Sequence, residues 1–447
     1  MQYLPESSPA NSSPYSDHQR ESQVRGHSRL FDSVFARGIG GVLVDVDGRR
    51  SIDFLSGHGS LNYGHNDPDM LKALVEHLQH HGLSAGLDLH SSAKQRFVKA
   101  FCGLVLAPRG MSHRLQFTGP GVDDGLAAAL ALARKVTGRT GVITFSHSHT
   151  GAASGPLAGA LRYPYDGVGG AGSGGLELLG RLLGDPGSGV VPPAAIVLEC
   201  VQTESSLRAA SGRWVRQLAA LARRHGALLV IDDRIAGGGR CGGFFSFEGL
   251  GVMPDLVLPS QSIAGLGLPM GLLLVRPDRD RWAPAELSSP FQHNHHAFVA
   301  AAVACEKFWT DGQLQRTVAQ RASLLIAGLQ GVAALLPPPA HPAEARVVGR
   351  GLLQGLRLPE AAMAREVVMA CFRRGLVLGT APADDALLRL MPPLTAPTLL
   401  LEQGLAILYR CVAEVTGQKA RSAPHRALAA VHAAARARAA SARTADG

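Results

Sequence analysis

The chain of 447 residues is 46% hydrophobic and carries a formal net charge of +9 at neutral pH. Its length allows a large core and two domains of unequal size, and no apolar run approaches the roughly 18 residues that a membrane-spanning helix requires. The six cysteines are scattered without C-x-x-C spacing, which argues against a disulfide framework or a zinc site and favours a reducing, cytoplasmic compartment.

The positive charge is concentrated in the C-terminal tail, which argues against nucleic-acid binding. Residues 419–447 contain six basic side chains and one acidic side chain, so this tail alone carries a net charge of +5. We predict a low-complexity, Ala/Arg-rich tail over residues 419–447. The polar residues 1–25 lack the apolar core of a signal peptide, and we predict that they form a disordered arm.

A β-hairpin is predicted at the start of the folded part. The apolar Val42–Val46 is followed by Asp47-Gly48, a turn dipeptide, and Ile52–Leu55 forms the returning strand. A glycine-containing stretch, Leu61–Asn66, comes next.

The segment Phe117–Lys135 predicts a strand end, a glycine turn and then a helix. A helix N-terminus reached through a glycine turn is a natural binding site for an anion. Asp123 stands at this helix start, where aspartate is a favourable cap and dipole partner. We therefore expect Asp123 to cap the helix, which would place an anion of the protein itself at this site.

Four further apolar runs predict strands of a buried, parallel sheet: Ile143–Phe145, Ala195–Glu199, Leu228–Ile231 and Leu256–Leu258. Ligands of open α/β sheets bind at the carboxyl ends of such strands. Three polar side chains follow these runs, namely Glu199, Asp232 and Gln261.

Several motifs together resemble class III pyridoxal-phosphate-dependent aminotransferases. These are Asp232-Asp233 with the glycine-rich turn Gly237–Gly243, then Phe244–Glu248, Ser260–Ile263 and Gly267–Met270. The string Asn62–Asn66 is most similar to the branch of diaminobutyrate–2-oxoglutarate aminotransferases. The resemblance extends over about residues 30–415.

The resemblance implies an α/β fold of the type I pyridoxal-phosphate-dependent transferases. The expected divisions are an N-terminal segment over 26–85 that packs with the small domain, a large domain with a mostly parallel sheet over 86–330, and a smaller α+β C-terminal domain over 331–418.

The resemblance also assigns residues to the cofactor. Gln261 stands at the position of the lysine that forms the Schiff base, and an amide nitrogen is not basic enough to form an imine. Asp232 stands at the position of the acid that holds the pyridine nitrogen, although a strand-end cap explains this residue equally well. Ile235 replaces a glutamine that contacts the cofactor in the family.

The remaining cofactor positions are also altered. Val122 and Asp123 stand where the family has a glycine and a hydroxyl residue that grip the phosphate. His149, followed by Thr150, replaces the aromatic residue that stacks on the pyridine ring. Pro290 replaces a threonine that reaches the phosphate of the neighbouring subunit. Pyridoxal phosphate is thus the implied cofactor, but these replacements make its binding doubtful.

Substrate and metal positions leave alternatives open. Arg389 stands where many relatives bind a substrate carboxylate, and a domain-packing arginine is the alternative. Glu199 is a second candidate in the substrate site, and a structural salt bridge is its alternative. The histidines around His293 to His296 fit a dimer-interface loop better than a metal site, and we predict no metal.

We predict a non-catalytic homologue of these transaminases, acting alone as a homodimer or as an accessory subunit in a heterodimer with an active aminotransferase. An active transaminase that moves the terminal amine of 2,4-diaminobutyrate to 2-oxoglutarate is the first alternative. A module that binds an amino acid or a pyridoxal-phosphate adduct is the second. Neither nucleic acid nor a membrane is an expected partner.

Overall fold

A seven-stranded sheet forms the centre of the fold in the computed structural model. The structure describes residues 26, 30–121, 123–147, 155–168, 174–339 and 345–418. The predictions for Val122, His149 and Thr150, for the arm 1–25 and for the tail 419–447 lie outside the described residues.

The central sheet is mostly parallel, as predicted. Its strands in spatial order are β4 (Arg114–Thr118), β10 (Gly271–Val275), β9 (Leu256–Leu258), β8 (Leu228–Asp232), β7 (Pro193–Leu198), β5 (Gly141–Phe145) and β6 (Leu161–Tyr163). Only β10 runs antiparallel to its two neighbours. The register places Asp232 opposite Leu258, so the ends of β8 and β9 meet at one edge of the sheet. The α/β class and the adjacency of the two strand ends are thereby confirmed.

Two smaller sheets flank the centre. The first contains β1 (Phe35–Ile39), β2 (Val42–Asp45), β3 (Arg50–Asp53) and β13 (Leu376–Val377). The second contains β11 (Val347–Arg350), β12 (Leu353–Arg357), β15 (Asp384–Leu390) and β14 (Gly379–Ala381). The predicted hairpin is β2 and β3, which pair antiparallel, whereas β13 joins β3 in parallel from the C-terminal part of the chain. The precise domain bounds stay a prediction.

Nine α-helices surround the sheets in the part of the chain that the structure describes. They are Pro68–Gln79, Ser92–Ala100, Asp124–Thr137, Gly174–Gly184, Gly212–Arg224, His295–Phe308, Gln313–Ala333, Ala361–Arg373 and Thr398–Val415. The core strands β7, β8 and β9 are buried along their whole length because helices cover both faces of a parallel sheet. None of the described helices is both long and apolar enough to cross a membrane.

Candidate functional site

Asp232, the last residue of β8, is bound by the side chain of Arg234. Arg234 Nε donates to Asp232 Oδ1 at 2.9 Å, and Arg234 Nη2 donates to Asp232 Oδ2 at 2.7 Å. The two side chains are only 11% and 6% exposed. A bidentate guanidinium–carboxylate pair is among the strongest hydrogen-bonded arrangements in proteins. Both carboxylate oxygens of Asp232 are therefore engaged by the chain itself.

Two further acids surround the Arg234 guanidinium. Arg234 Nη1 lies 3.5 Å from Asp123 Oδ1, and Glu199 also adds negative charge nearby. Burial alone would lower the pKa of Arg234, but the charge of Asp232, together with those of Glu199 and Asp123, outweighs burial and raises this pKa above its ordinary value. Arg234 is thus a permanent cation at the centre of a cluster of carboxylates.

The glycine turn before the helix Asp124–Thr137 holds a carboxylate, but not the one that the sequence predicts. Asp124 Oδ2 accepts the backbone N–H of Gly121 at 2.9 Å. A Cβ atom added to Gly119 would lie 2.1 Å from the same oxygen, so this side chain packs directly on the turn. The Asp123 side chain makes no capping hydrogen bond and faces Arg234 instead. Asp123 occupies the N-cap position, but its backbone is helical (φ −99°, ψ −6°) and not extended as in most capping residues, and its side chain makes its contact with Arg234.

Gln261 is fixed in place by hydrogen bonds at both its backbone and its side chain. It begins a short 3-10 turn after β9, and its backbone N–H donates to the carbonyl of Arg234 at 2.8 Å. Its Nε2 donates to the carbonyl of His58 at 2.6 Å. The Gln261 amide is therefore used as a structural donor between the sheet edge and the N-terminal segment.

The turn Ser56–Gly59 that receives Gln261 has an unusual backbone. Its non-glycine residues Ser56 and His58 have positive φ angles of 45° and 57°. Such angles are uncommon for residues with a side chain and tend to cluster at functional sites. In this conformation the His58 carbonyl accepts from Gln261, while the His58 ring contacts Arg389.

Arg389 is buried in a second polar cluster with the same histidine. Its Nη2 donates to His58 Nδ1 at 2.7 Å, and its Nη1 donates to the carbonyl of Thr203 at 2.9 Å. Glu204 Oε1 lies 3.9 Å from Arg389 Nη1 and 3.4 Å from His58 Nε2. Burial lowers the pKa of Arg389, and the charge of Glu204 opposes this shift. A carboxylate ligand at Arg389 would have to compete with Glu204.

Glu199 and Ile235 also lie at the edge of the central sheet. Glu199 is buried, and its Oε1 accepts the hydroxyl of Thr203 at 2.7 Å. Ile235 is buried in an apolar cluster with Met391, where it offers no polar contact. A Cβ added to Gly59 would lie 3.5 Å from Ile235 and 3.6 Å from Gln261 Nε2, so both side chains line the same small space.

Pro290 lies apart from this cluster. It begins an exposed turn, Pro290–Gln292, whose Phe291 side chain is 76% exposed. His295 nearby is fully buried, and its Nε2 has no hydrogen-bond partner among the described residues. The described residues contain no group of three metal-binding side chains.

The residues at this site do not fit pyridoxal phosphate. Its ring nitrogen needs a carboxylate that is open to the ligand, but Arg234 already binds both oxygens of Asp232. Its aldehyde needs an amine, and the side chain at 261 is an amide. Its phosphate needs the backbone donors of the glycine turn, and the Gly121 N–H is taken by Asp124.

Two central residues, Arg234 and His58, were missed by the sequence reasoning. A basic residue two positions after a strand-end acid, between apolar neighbours, is a signal that could have pointed to Arg234. For His58 the signal is a histidine between two glycines, a setting that permits an unusual backbone. The sequence did bring Asp232, Glu199, Gln261, Ile235 and Arg389 to one region.

Asp233, beside the site, gives the fold a predicted pH dependence. It is fully buried; its Oδ2 accepts the Ser246 N–H at 2.8 Å, and its Oδ1 has no partner among the described residues. Burial raises the pKa of Asp233 from 3.8 to about 7. The folded state therefore holds a proton that the unfolded state has lost, so this group makes stability fall as pH rises from about 4 to about 7.

The substitution Asp233→Asn should remove this loss of stability at higher pH. We expect the variant to be more stable than the unmodified chain by about 4 kcal/mol at pH 8 and nearly equal to it at pH 4. Urea unfolding across this pH range measures the difference. The exposed Asp88→Asn is the matched control and should leave the slope unchanged. A parallel pH profile for Asp233→Asn and the unmodified chain would show that Asp233 does not carry the proton.

Comparisons with known proteins agree with this fold. The family model "Aminotransferase class-III" matches residues 23–165 and 191–412. The diaminobutyrate–2-oxoglutarate transaminase of Vibrio cholerae is 40% identical over 410 residues, covering 88% of this chain and 98% of that protein. An uncharacterized aminotransferase of Sinorhizobium fredii is 40% identical over 419 residues, covering 90% of this chain and 93% of that protein.

Solved structures of the same fold are also similar. A lysine aminotransferase from M. tuberculosis, in its internal aldimine form, superposes with a TM-score of 0.75 at 22% identity and covers 90% of this chain and 99% of that one. This likeness confirms the predicted type I fold. With the family model spanning most of the sequence, the chain belongs to the class III aminotransferases.

Proposed function

We propose that this chain is a non-catalytic member of the class III aminotransferases, with a cofactor site that no longer serves transamination. The observation that carries the proposal is Gln261 at the lysine position, where its amide donates to the His58 carbonyl at 2.6 Å. An amide cannot form an imine with an aldehyde, so the first covalent step of this chemistry lacks its nucleophile.

Four of the lysines that the structure describes make contacts of their own away from Gln261. The chain has six lysines, and three of them are engaged in ion pairs on the surface: Lys72 with Glu76, Lys135 with Glu286, and Lys307 with Asp67. Lys94 Nζ donates to the carbonyl of Asp88 at 3.1 Å. These contacts hold the four ammonium groups on elements other than the ends of β8 and β9.

An active transaminase is the second candidate, and the names of the relatives favour it. Several relatives at 37–40% identity are named diaminobutyrate–2-oxoglutarate transaminase. On this alternative, pyridoxal phosphate would bind and the chain would pass the terminal amine of 2,4-diaminobutyrate to 2-oxoglutarate. The contacts at Asp232, Arg234 and Gln261 are the observations that favour the non-catalytic proposal over this alternative.

A turnover assay separates the two candidates. The unmodified chain is incubated with pyridoxal phosphate, 2,4-diaminobutyrate and 2-oxoglutarate, and glutamate is measured. We expect glutamate only at the background rate of a reaction without protein, whereas a relative named for this transaminase serves as the positive control. Glutamate formed in proportion to the concentration of this chain would establish the active alternative.

We further propose that the chain assembles through an exposed apolar face. This face consists of Leu71, Val75 and Leu78 on the helix Pro68–Gln79, the neighbouring Leu83, Leu87 and Leu89, and Leu287 and Phe291, each 42–76% exposed. Ala85 bridges to Asn294, so the two loops lie side by side. A cluster of large apolar side chains exposed together on a protein surface is typical of an interface, and a second copy of the chain is the partner to which we commit.

Leu89→Asp combined with Phe291→Asp should turn the dimer into a monomer. Burying a carboxylate in an apolar interface is costly, and we expect the dimer to weaken by at least about a hundredfold. Light scattering after size exclusion measures the mass. Leu399→Asp, at a residue that is 63% exposed outside this face, is the matched control. A double variant that keeps the mass of the unmodified chain would exclude this interface.

The accessory role makes a separate claim about the partner. If the chain supports an active aminotransferase, co-expression with such a relative should yield mixed dimers that copurify through a tag on either chain. Failure to form mixed dimers would count against the accessory role and leave the homodimer. All six cysteines are free thiols, which supports a reducing, cytoplasmic setting for either assembly.

A further inference from the structure

We propose that Arg234, Asp123 and Asp124 replace the charged groups of pyridoxal phosphate, so that the chain fills its own cofactor site. The inference rests on the proposed non-catalytic function and adds what now occupies the place of the cofactor. It is carried by the contacts of these three side chains and does not depend on Gln261.

The Arg234 guanidinium supplies the positive charge that the protonated pyridine ring of the cofactor would place beside Asp232. The acid at the end of β8 is the group that would hold the ring nitrogen, and here its two oxygens lie 2.9 and 2.7 Å from Arg234 Nε and Nη2. The guanidinium is planar and permanently charged, and its paired donors match a carboxylate in a way that a single ring N–H does not. A pyridinium ligand could reach Asp232 only by displacing Arg234.

The carboxylates of Asp124 and Asp123 supply the negative charge that the phosphate of the cofactor would place at the glycine turn. The Gly121 N–H, a donor of the glycine turn that leads into this helix, is satisfied by Asp124 Oδ2 at 2.9 Å. Asp123 stands beside it and lies 3.5 Å from the Arg234 guanidinium. A phosphate placed here would lose a backbone donor to Asp124 and would meet two like charges.

The internal groups also reproduce the charge of the cofactor. One guanidinium and two carboxylates carry one positive and two negative charges, and a protonated pyridine ring with a phosphate carries one positive and about two negative charges. The ends of β8 and of the glycine turn are therefore electrostatically satisfied by the chain. Restoring a lysine at 261 alone does not reopen this site, because Gln261 belongs to none of these contacts.

Binding of pyridoxamine 5′-phosphate tests the proposal directly. This probe has the pyridine ring and the phosphate but no aldehyde, so its binding needs no imine and no lysine. Calorimetric titration should give no saturable binding below about 1 mM for the unmodified chain and for Gln261→Lys. The double variant Asp124→Ala/Arg234→Met should bind at least about a hundredfold more tightly, since removal of both side chains frees the Gly121 N–H and the Asp232 carboxylate for the probe.

The acid at the end of β8 provides the specificity control. Adding Asp232→Asn to the double variant should cancel most of the gain, because the ring nitrogen then has no carboxylate partner. Arg279→Met, which removes a guanidinium paired with Asp255 at 3.1 Å elsewhere on the fold, should give no gain. Saturable binding to the unmodified chain as tight as to the double variant would overturn the proposal, and so would tight binding to Gln261→Lys alone.

A milder variant guards against loss of the fold. Arg234→Gln keeps a donor for Asp232 but removes the charge, and it should gain about tenfold in affinity for the probe. An affinity equal to that of the unmodified chain would overturn the proposal. The proposed function is tested separately by the turnover assay. Glutamate formation by the unmodified chain would contradict the non-catalytic function. Probe binding to the unmodified chain without turnover would contradict only the proposal that the chain fills its own cofactor site.

Discussion

Replacing Arg240 with methionine will destabilise the fold by about 3 kcal/mol. The Arg240 side chain is fully buried; its Nη2 and Nε donate to Asn62 Oδ1 at 2.6 and 3.2 Å, and its Nη1 donates to the carbonyls of Leu352, at 3.3 Å, and Pro392. Methionine leaves three buried acceptors without this donor, at about 1–3 kcal/mol each, and the relief from burying a charge offsets part of that cost.

Urea unfolding followed by circular dichroism measures this change. The matched control is Arg410→Met, which removes an exposed arginine that donates to the carbonyl of Ala406 at 3.2 Å. We expect the control to change stability by less than about 0.5 kcal/mol. Equal midpoints for Arg240→Met and Arg410→Met would mean that the contacts of Arg240 with Asn62, Leu352 and Pro392 do not stabilise the fold.

Replacing Arg234 with methionine will cost about 3–5 kcal/mol at pH 8 and much less at pH 5. The variant removes the guanidinium that pairs with Asp232 and that adds positive charge near Glu199, and both carboxylates are only 6% exposed. Without the positive charge of Arg234, burial should raise the pKa of Asp232 above its value in the unfolded chain, so the folded variant takes up a proton. Its stability will fall as pH rises through this window, because the unfolded state binds fewer protons than the folded state there.

A double-mutant cycle measures the coupling energy between Arg234 and Asp232. Asp232→Asn/Arg234→Met should recover most of the loss, because the amide no longer buries a charge, and the coupling energy should exceed about 2 kcal/mol. Arg279→Met is the control, since Asp255 retains its contact with Arg276 at 2.9 Å. A pH-independent loss in Arg234→Met, or additive effects in the cycle, would show that the two charges do not depend on each other.

The architecture was accessible from the sequence because its signals are local. The apolar runs Leu228–Ile231 and Leu256–Leu258 lie within β8 and β9, and the rule that ligands bind at carboxyl strand ends brought Asp232 and Gln261 together. The first hairpin was also predicted correctly from its Asp-Gly turn, although β3 ends at Asp53 and not at Leu55.

The contacts within the site were harder to predict from the sequence, because they depend on the direction in which individual side chains point. Asp123 and Asp124 are adjacent, and the direction of each side chain decides that Asp124 contacts Gly121 and that Asp123 contacts Arg234. The contact of His58 with Arg389 joins residues 331 positions apart. No local pattern encodes such a pairing, so motif reading found Arg389 without its partner.

The measurement that tests the central claim most directly is a visible absorbance scan of the purified chain with added pyridoxal phosphate, followed by borohydride reduction and intact mass. We predict the spectrum of the free cofactor, full recovery of the cofactor by filtration, and an unchanged protein mass, because Gln261 forms no imine and Arg234 holds Asp232. A reducible band, with a mass increase of one reduced cofactor per chain, would contradict the account and restore the active transaminase.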